Sequence, residues 1–135
     1  MLLDALDSLN LFACGVYEPL ETRIFKRLIN RNDVVFDVGA NIGYYTLIAT
    51  KLVGEKGRVF AFEPEPTNFS LLEKNVKLNG YKNVVLMQKA VLNKTGKTKL
   101  YLHRTAGGHS KTQSFTSNIE VETVSLIFLG SLTRK

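Results

Sequence analysis

The residues with the clearest chemical potential lie in two short strings, Asp37-Val-Gly39-Ala40-Asn41-Ile-Gly43 and Phe62-Glu63-Pro64-Glu65-Pro66. Each follows an apolar run with strand character, 34–38 for the first and 58–62 for the second. A glycine turn at the carboxyl end of a strand is where a doubly wound sheet binds its ligands. Gly39 permits a tight turn and a close approach of the backbone to a ligand, and Gly43 lets the next helix start close to the strand. The N–H groups of that helix N-terminus then face the ligand. Glu63 stands twenty residues beyond Gly43. A carboxylate there can accept hydrogen bonds from both the 2′- and 3′-hydroxyls of a ribose. A dinucleotide fingerprint would read Gly-x-Gly-x-x-Gly. Its second and third glycine positions are here Asn41 and Tyr44, a poor fit. The pattern suits a nucleoside with an amino-acid tail, whose charges meet Asp37 and the turn amides and which needs no room for a pyrophosphate.

The elements that must position these residues follow from periodicity. Residues 1–16 are weakly patterned, with room for one short helix. Pro19 opens a better helix, since its missing N–H has no partner to lose in a first turn. Leu20, Ile24 and Leu28 form an apolar stripe expected to face the core. Residues 34–38 are expected as a strand buried on both faces. A helix over 44–53 ends at Gly54, a strand follows over 58–62, and a third helix runs over about 67–78 with Phe69, Leu72 and Val76 inward. Asn79-Gly80 closes it. A third strand starts at Val84 and is expected to continue to Val91. Two βαβ units in a row imply a parallel sheet. Residues 98–103 and 119–124 alternate as half-exposed strands and are expected to form an antiparallel hairpin on the sheet edge. Residues 106–118 are expected as a flexible loop.

Composition bounds the function. The chain has 135 residues, enough for one small domain, and carries a net charge of +6. No apolar run approaches the ~20 residues of a membrane helix. The acidic N-terminus does not resemble a signal peptide. A single cysteine, Cys14, excludes an intramolecular disulfide and fits a reducing, cytoplasmic compartment. The charge is uneven: between Glu73 and Glu120 there are nine basic residues and no acidic one. Two isolated histidines, His103 and His109, do not make a metal site. His109 sits in a glycine-flanked stretch that suits a solvated turn better than a substrate loop. Tyr44 and Tyr45 suit either the cofactor or core packing.

Four linked strings resemble the FkbM family of S-adenosylmethionine-dependent methyltransferases. They are Val35-Phe-Asp-Val-Gly-Ala-Asn-Ile-Gly-Tyr-Tyr-Thr46, Val59-Phe-Ala-Phe-Glu-Pro-Glu-Pro66, Leu71-Leu-Glu-Lys-Asn-Val-Lys-Leu-Asn79 and Lys89-Ala-Val91. The resemblance runs from about Tyr17 to Leu126. It implies a Rossmann-like class I methyltransferase fold: a parallel sheet with helices on both faces, plus the hairpin, preceded by a helical segment over 1–30. It also implies S-adenosylmethionine as cofactor. The cofactor set becomes Asp37, Gly39, Ala40, Asn41 and Gly43 on the methionine side, Glu63 and Pro64 at the ribose, and Ala90 near the adenine. No catalytic residue is assigned.

The same resemblance sets an expectation about the end of the chain. After Leu126 the family continues into a fourth parallel strand with an acidic motif, whereas this sequence runs to Lys135 and stops. The domain over 31–135 is therefore expected to be incomplete in its C-terminal half, with the absent acidic part accounting for the basic balance. The favoured function is O-methylation of a small-molecule or sugar hydroxyl. One alternative is a non-catalytic remnant. The other is an RNA methyltransferase, because archaeal-type tRNA guanine methyltransferases show a Leu-x-x-Asn-x-x-x-Asn helix similar to Leu72–Asn79. An open edge at residues 34–38 is a pairing hazard that a homodimer would relieve. Light scattering at high dilution should then give a dimer mass, and a monomer mass sinks that expectation.

Overall fold

The computed structural model describes residues 1–4, 9, 11–105, 114–125 and 127. Helix α1 is a single turn, Leu11–Cys14, and α2 spans Pro19–Leu28. Then follow β1 (Val34–Val38), α3 (Tyr44–Val53), β2 (Arg58–Phe62), α4 (Pro66–Leu78) and β3 (Val84–Met87). The three strands form a parallel sheet in the order β1-β2-β3, with Val34 opposite Arg58 and Val59 opposite Val84. Parallel neighbours joined by helices are what the sequence pattern requires. The boundaries of β1, α3 and β2 agree with the periodicity, and α4 begins one residue earlier at Pro66.

Period-2 alternation divides the β2 side chains between two layers. Val59 and Ala61 meet the helices: Ala49 and Val53 of α3, and Leu72 and Val76 of α4. Phe60 and Phe62 point the other way, where Phe60 stacks on Phe36 at 5.2 Å. That second face is covered by another sheet. Strand β3 does not continue to Val91. It stops at Met87, Lys89 donates its N–H back to the Met87 carbonyl, and β4 (Ala90–Leu92) leaves to pair with β6 (Ser114–Ser125). Strand β5 (Gly96–Thr105) completes the order β4-β6-β5. The antiparallel hairpin is present, with Gly96 opposite Thr123 and Thr105 opposite Ser114, but it belongs to this second sheet rather than to the edge of the first. Val91 and Val124 pack it against Phe60 and Phe62. Among the described residues the helices thus lie on one face of the parallel sheet and the small sheet on the other, where helices on both faces were expected. Residues 114–118, expected as loop, are strand. Residues 106–113, with His109, lie outside the described residues, as do 126 and 128–135, and of His103 only the backbone is described.

Two further expectations are corrected. Leu20, Ile24 and Leu28 are exposed, and α2 docks instead through Thr22 and Phe25, with Ile29 just past its end. The Phe25 ring sits 4.8 Å from that of Tyr45, edge to face. Aromatic area outweighs the aliphatic stripe in choosing the buried side. Strand β1 is not buried on both faces; Val34 is 44% and Val38 55% exposed, because β1 has β2 as its one partner among the described residues.

Asn75 is fully buried on α4. Its amide nitrogen donates to the carbonyls of Ile42 (2.8 Å) and Leu2 (2.9 Å), and its amide oxygen accepts the Leu2 N–H. One side chain therefore ties α4 to the loop before α3 and to the N-terminal segment. Replacing Asn75 by Ala strands two carbonyls, and the expected loss of stability is about 2 kcal/mol, read by urea denaturation. An unchanged midpoint would show that water replaces the amide there.

Candidate functional site

The glycine turn is built by the end of β2. The Phe62 carbonyl accepts the N–H of Gly39 (2.9 Å) and of Ala40 (3.0 Å), and the Gly43 N–H donates to the Ala40 carbonyl (2.8 Å). Gly39 has φ +80 with open space where a Cβ would stand, so backbone conformation and ligand access both favour glycine. Gly43 has φ +97, and a Cβ there would lie 2.7 Å from the Leu72 side chain. The close neighbour that needs this glycine is α4, not the strand. Asn41, at φ 51, takes a left-handed conformation that Asn adopts more readily than most residues.

Glu63 lies beneath this turn, 6% exposed. Its two oxygens accept the N–H of Asn41 (2.8 Å) and of Glu65 (2.9 Å). An ionised carboxylate has roughly four acceptor sites, so capacity remains for hydroxyl donors. Burial pushes its pKa up, the two backbone N–H groups pull it back, and the Glu65 and Asp37 charges add to the rise. Asp37, at the end of β1, is also raised by burial, against hydrogen bonds from the side chain and backbone of Thr46. Thr46 stands in the first turn of α3, so Asp37 acts as an external cap on that helix. The Asn41 amide oxygen is buried with no hydrogen-bond partner. Buried acceptors of this kind are uncommon and call for a donor.

The turn amides are less free than expected, since those of Gly39, Ala40, Asn41 and Gly43 are all bonded within the protein. Pro64 is half-buried between Glu63 and Glu65, and Glu65 caps α4 by accepting the Asn68 N–H at 2.6 Å. Ala90 opens β4 opposite Thr123, three residues past the end of β3. Tyr44 and Tyr45 pack: their rings meet Tyr17 at 5.9 and 6.2 Å, and the Tyr45 hydroxyl donates to Glu18. Sequence reasoning missed Thr46 and Asn75. The available signal was a polar residue on each inward helix face.

The chemistry of this donor set is specific. One buried carboxylate, Glu63, one half-buried carboxylate, Asp37, and an orphan amide oxygen accept hydrogen bonds and favour positive charge. They fit the ammonium, sulfonium and ribose hydroxyls of S-adenosylmethionine and oppose a pyrophosphate.

The family model for the TRM5/TYW2 methyltransferase domain matches residues 16–118. The chain belongs to this family. An uncharacterized protein of Methanocaldococcus jannaschii is 34% identical over 76 residues, which is 53% of this chain and 27% of that protein. A tRNA(Phe) (4-demethylwyosine(37)-C(7)) aminocarboxypropyltransferase of the same organism is 43% identical over 56 residues, 42% of this chain and 22% of that one. The chain thus spans about a quarter of the length of these curated relatives. Among solved structures, a Clostridium thermocellum protein assigned to the rRNA methylases aligns with TM-score 0.51 at 25% identity, over 53% of this chain and 39% of that one. A SAM-dependent O-methyltransferase of Thermotoga maritima aligns with TM-score 0.51 at 13% identity, over 88% of this chain and 71% of that one, which bears on the fold alone. The TRM5/TYW2 domain here accordingly has the Rossmann-like class I methyltransferase fold. The narrower FkbM likeness rests on the sequence motifs. No helix among the described residues is long and apolar enough to cross a membrane.

The raised carboxyls set the pH behaviour. A carboxyl whose folded pKa is raised binds more protons folded than unfolded, so its stability contribution is full below the unfolded value and is lost as pH rises through the folded one. For Asp37 that window opens near the ordinary value of 3.8, and for Glu63 near 4.5. The stability difference between wild type and Asp37→Asn should shift against wild type as pH rises above 3.8, measured by thermal unfolding at several pH values. A difference independent of pH would show that Asp37 keeps its unfolded pKa.

Proposed function

We propose that this chain is the cofactor-binding part of an S-adenosylmethionine-dependent methyltransferase. The observation that carries the reading is the convergence of Glu63, Asp37 and the unpartnered Asn41 oxygen on one glycine turn. Bound there, S-adenosylmethionine supplies a methyl group on a sulfonium for direct displacement by an acceptor. Glu63 holds the ribose with the acceptor capacity left over from the two backbone bonds. Asn41 and Asp37 meet the ammonium of the amino-acid tail, and Gly39 leaves the backbone bare beside it. Ala40, Gly43 and Pro64 shape the walls. Orientation of the donor is the domain's main contribution. No described residue is assigned as a base for the acceptor.

For the acceptor, the FkbM likeness supports a small-molecule or sugar hydroxyl, and the Glu63-Pro64-Glu65-Pro66 string and the β5–β6 hairpin belong to that likeness. RNA is the second reading. It is favoured by the TRM5/TYW2 match, by the tRNA-directed name of one relative and by the basic stretch after Glu73. A homodimer through the β1 edge and a cytoplasmic location complete the proposal, the latter on the single, exposed thiol of Cys14.

Calorimetric titration of S-adenosylmethionine and S-adenosylhomocysteine tests the central claim. Wild type should bind both, and Glu63→Ala should lose roughly tenfold or more in affinity, the equivalent of one or two charged hydrogen bonds. Affinity should also fall as pH drops below the raised carboxyl values, because protonation removes the acceptor charge. A folded protein that binds neither ligand ends the reading. Titration with bulk tRNA separates the acceptors, since phosphate contacts weaken steeply with salt. Salt-dependent binding favours RNA, and its absence favours the small hydroxyl.

A further inference from the structure

A roomy cavity among the described residues lies away from the cofactor turn. It holds about 660 Å³ and opens between the loops that enter β2 and β3. The cofactor residues stand at the carboxyl ends of the strands, so β2, five residues long, separates the two places by about 16 Å. Lys51, Lys56, Arg58 and Lys82 line this cavity with a single acid, Glu55. All four cations are exposed, and none forms an ion pair among the described residues.

Lys51 has an ordinary explanation. It sits in the last turn of α3, where a cation offsets the negative end of the helix. Lys56, Arg58 and Lys82 lie in loops or at a strand start, and no helix end accounts for them. The carbonyls at the end of α3 are already answered. The Asn83 amide donates to Gly54 (2.9 Å), with longer contacts to Thr50 and Gly57. That same amide fixes one wall. Gly57 fixes it further, because a Cβ there would come within 2.4 Å of the Val53 Cβ. The cavity is therefore a basin with surplus positive charge and one braced wall, of a size that ordinarily houses a small-molecule ligand, roughly 300–1,000 Å³.

We propose that this basin binds a small polyphosphate anion, at a site separate from the cofactor turn. A chain of phosphates offers an anionic group to each of Lys56, Arg58 and Lys82, which a single phosphate does not. Recognition is by charge-assisted hydrogen bonds, with Arg58 supplying the planar fork.

The test is calorimetric titration of tripolyphosphate into the 135-residue chain at fixed ionic strength. Saturable one-to-one binding is expected, with about tenfold weakening in the double variant Arg58→Glu/Lys82→Glu. The control Lys94→Glu/Lys99→Glu, which reverses two exposed charges, one in the bend between β4 and β5 and one on β5, should bind as wild type does. If the charge reversal unfolds the chain by circular dichroism, Arg58→Gln/Lys82→Gln replaces it, with the same direction expected. Lack of saturable binding overturns the proposal, and so does equal weakening in the control. Binding of a short RNA through Arg58 and Lys82 without tripolyphosphate binding overturns it as well. S-adenosylmethionine titrated into the same samples keeps the two questions apart, because loss of polyphosphate binding with intact cofactor binding sinks this proposal alone.

Discussion

The glycine turn hangs on the last residue of β2 and the one that follows it. The Phe62 carbonyl gathers the N–H groups of Gly39 and Ala40, and the Glu63 carboxylate gathers that of Asn41. Three consecutive amides of the turn after β1 are thereby held by the end of the neighbouring strand. This is possible because Val38 stands opposite Phe62 in a parallel register. A slip of that register would remove all three bonds together. The turn is a tertiary object, although its glycines are written locally.

Holding the turn in this way has an electrostatic cost. Glu63 and Asp37 are both drawn out of water, and each raises its own pKa by doing so. Backbone donors and Thr46 offset part of that penalty. The remainder, with the unpartnered Asn41 oxygen, is an unmet demand for hydrogen-bond donors and positive charge. Such a demand is tolerated where a ligand answers it. The supporting residues lie one layer back. Asn75 holds the Ile42 carbonyl, and Leu72 fills the space that Gly43 leaves.

The parallel sheet also separates charge along its strands. Acid sits at the carboxyl ends, under the glycine turn, and surplus base sits at the amino ends, around Arg58 and Lys82. The two sheet faces differ as well. Val59 and Ala61 take small side chains against closely packed helices, whereas Phe60 and Phe62 reach the second sheet through Val124. The two exposed ion pairs of that sheet, Lys89 with Glu122 and Lys97 with Glu120, fix little by themselves. Its apolar contacts hold it in place.

The sequence by itself determined the elements of the first sheet, the position of the glycine turn and the carboxylate at Glu63. These are set by short-range physics: β-branched runs, helical spacing, and glycines at turns with positive φ. Only the tertiary structure decided which stripe of α2 is buried, because Thr22 and Phe25 had partners on Tyr44 and Tyr45 that no local period reveals. Only tertiary structure broke the strand expected over 84–91 into β3 and β4, since the break is made by β6 offering Val91 a partner in another sheet. The roles of Thr46 and Asn75 were hidden for the same reason. Each is an ordinary polar helix residue until the fold buries it, and burial then turns every hydrogen bond it makes into a constraint on the site.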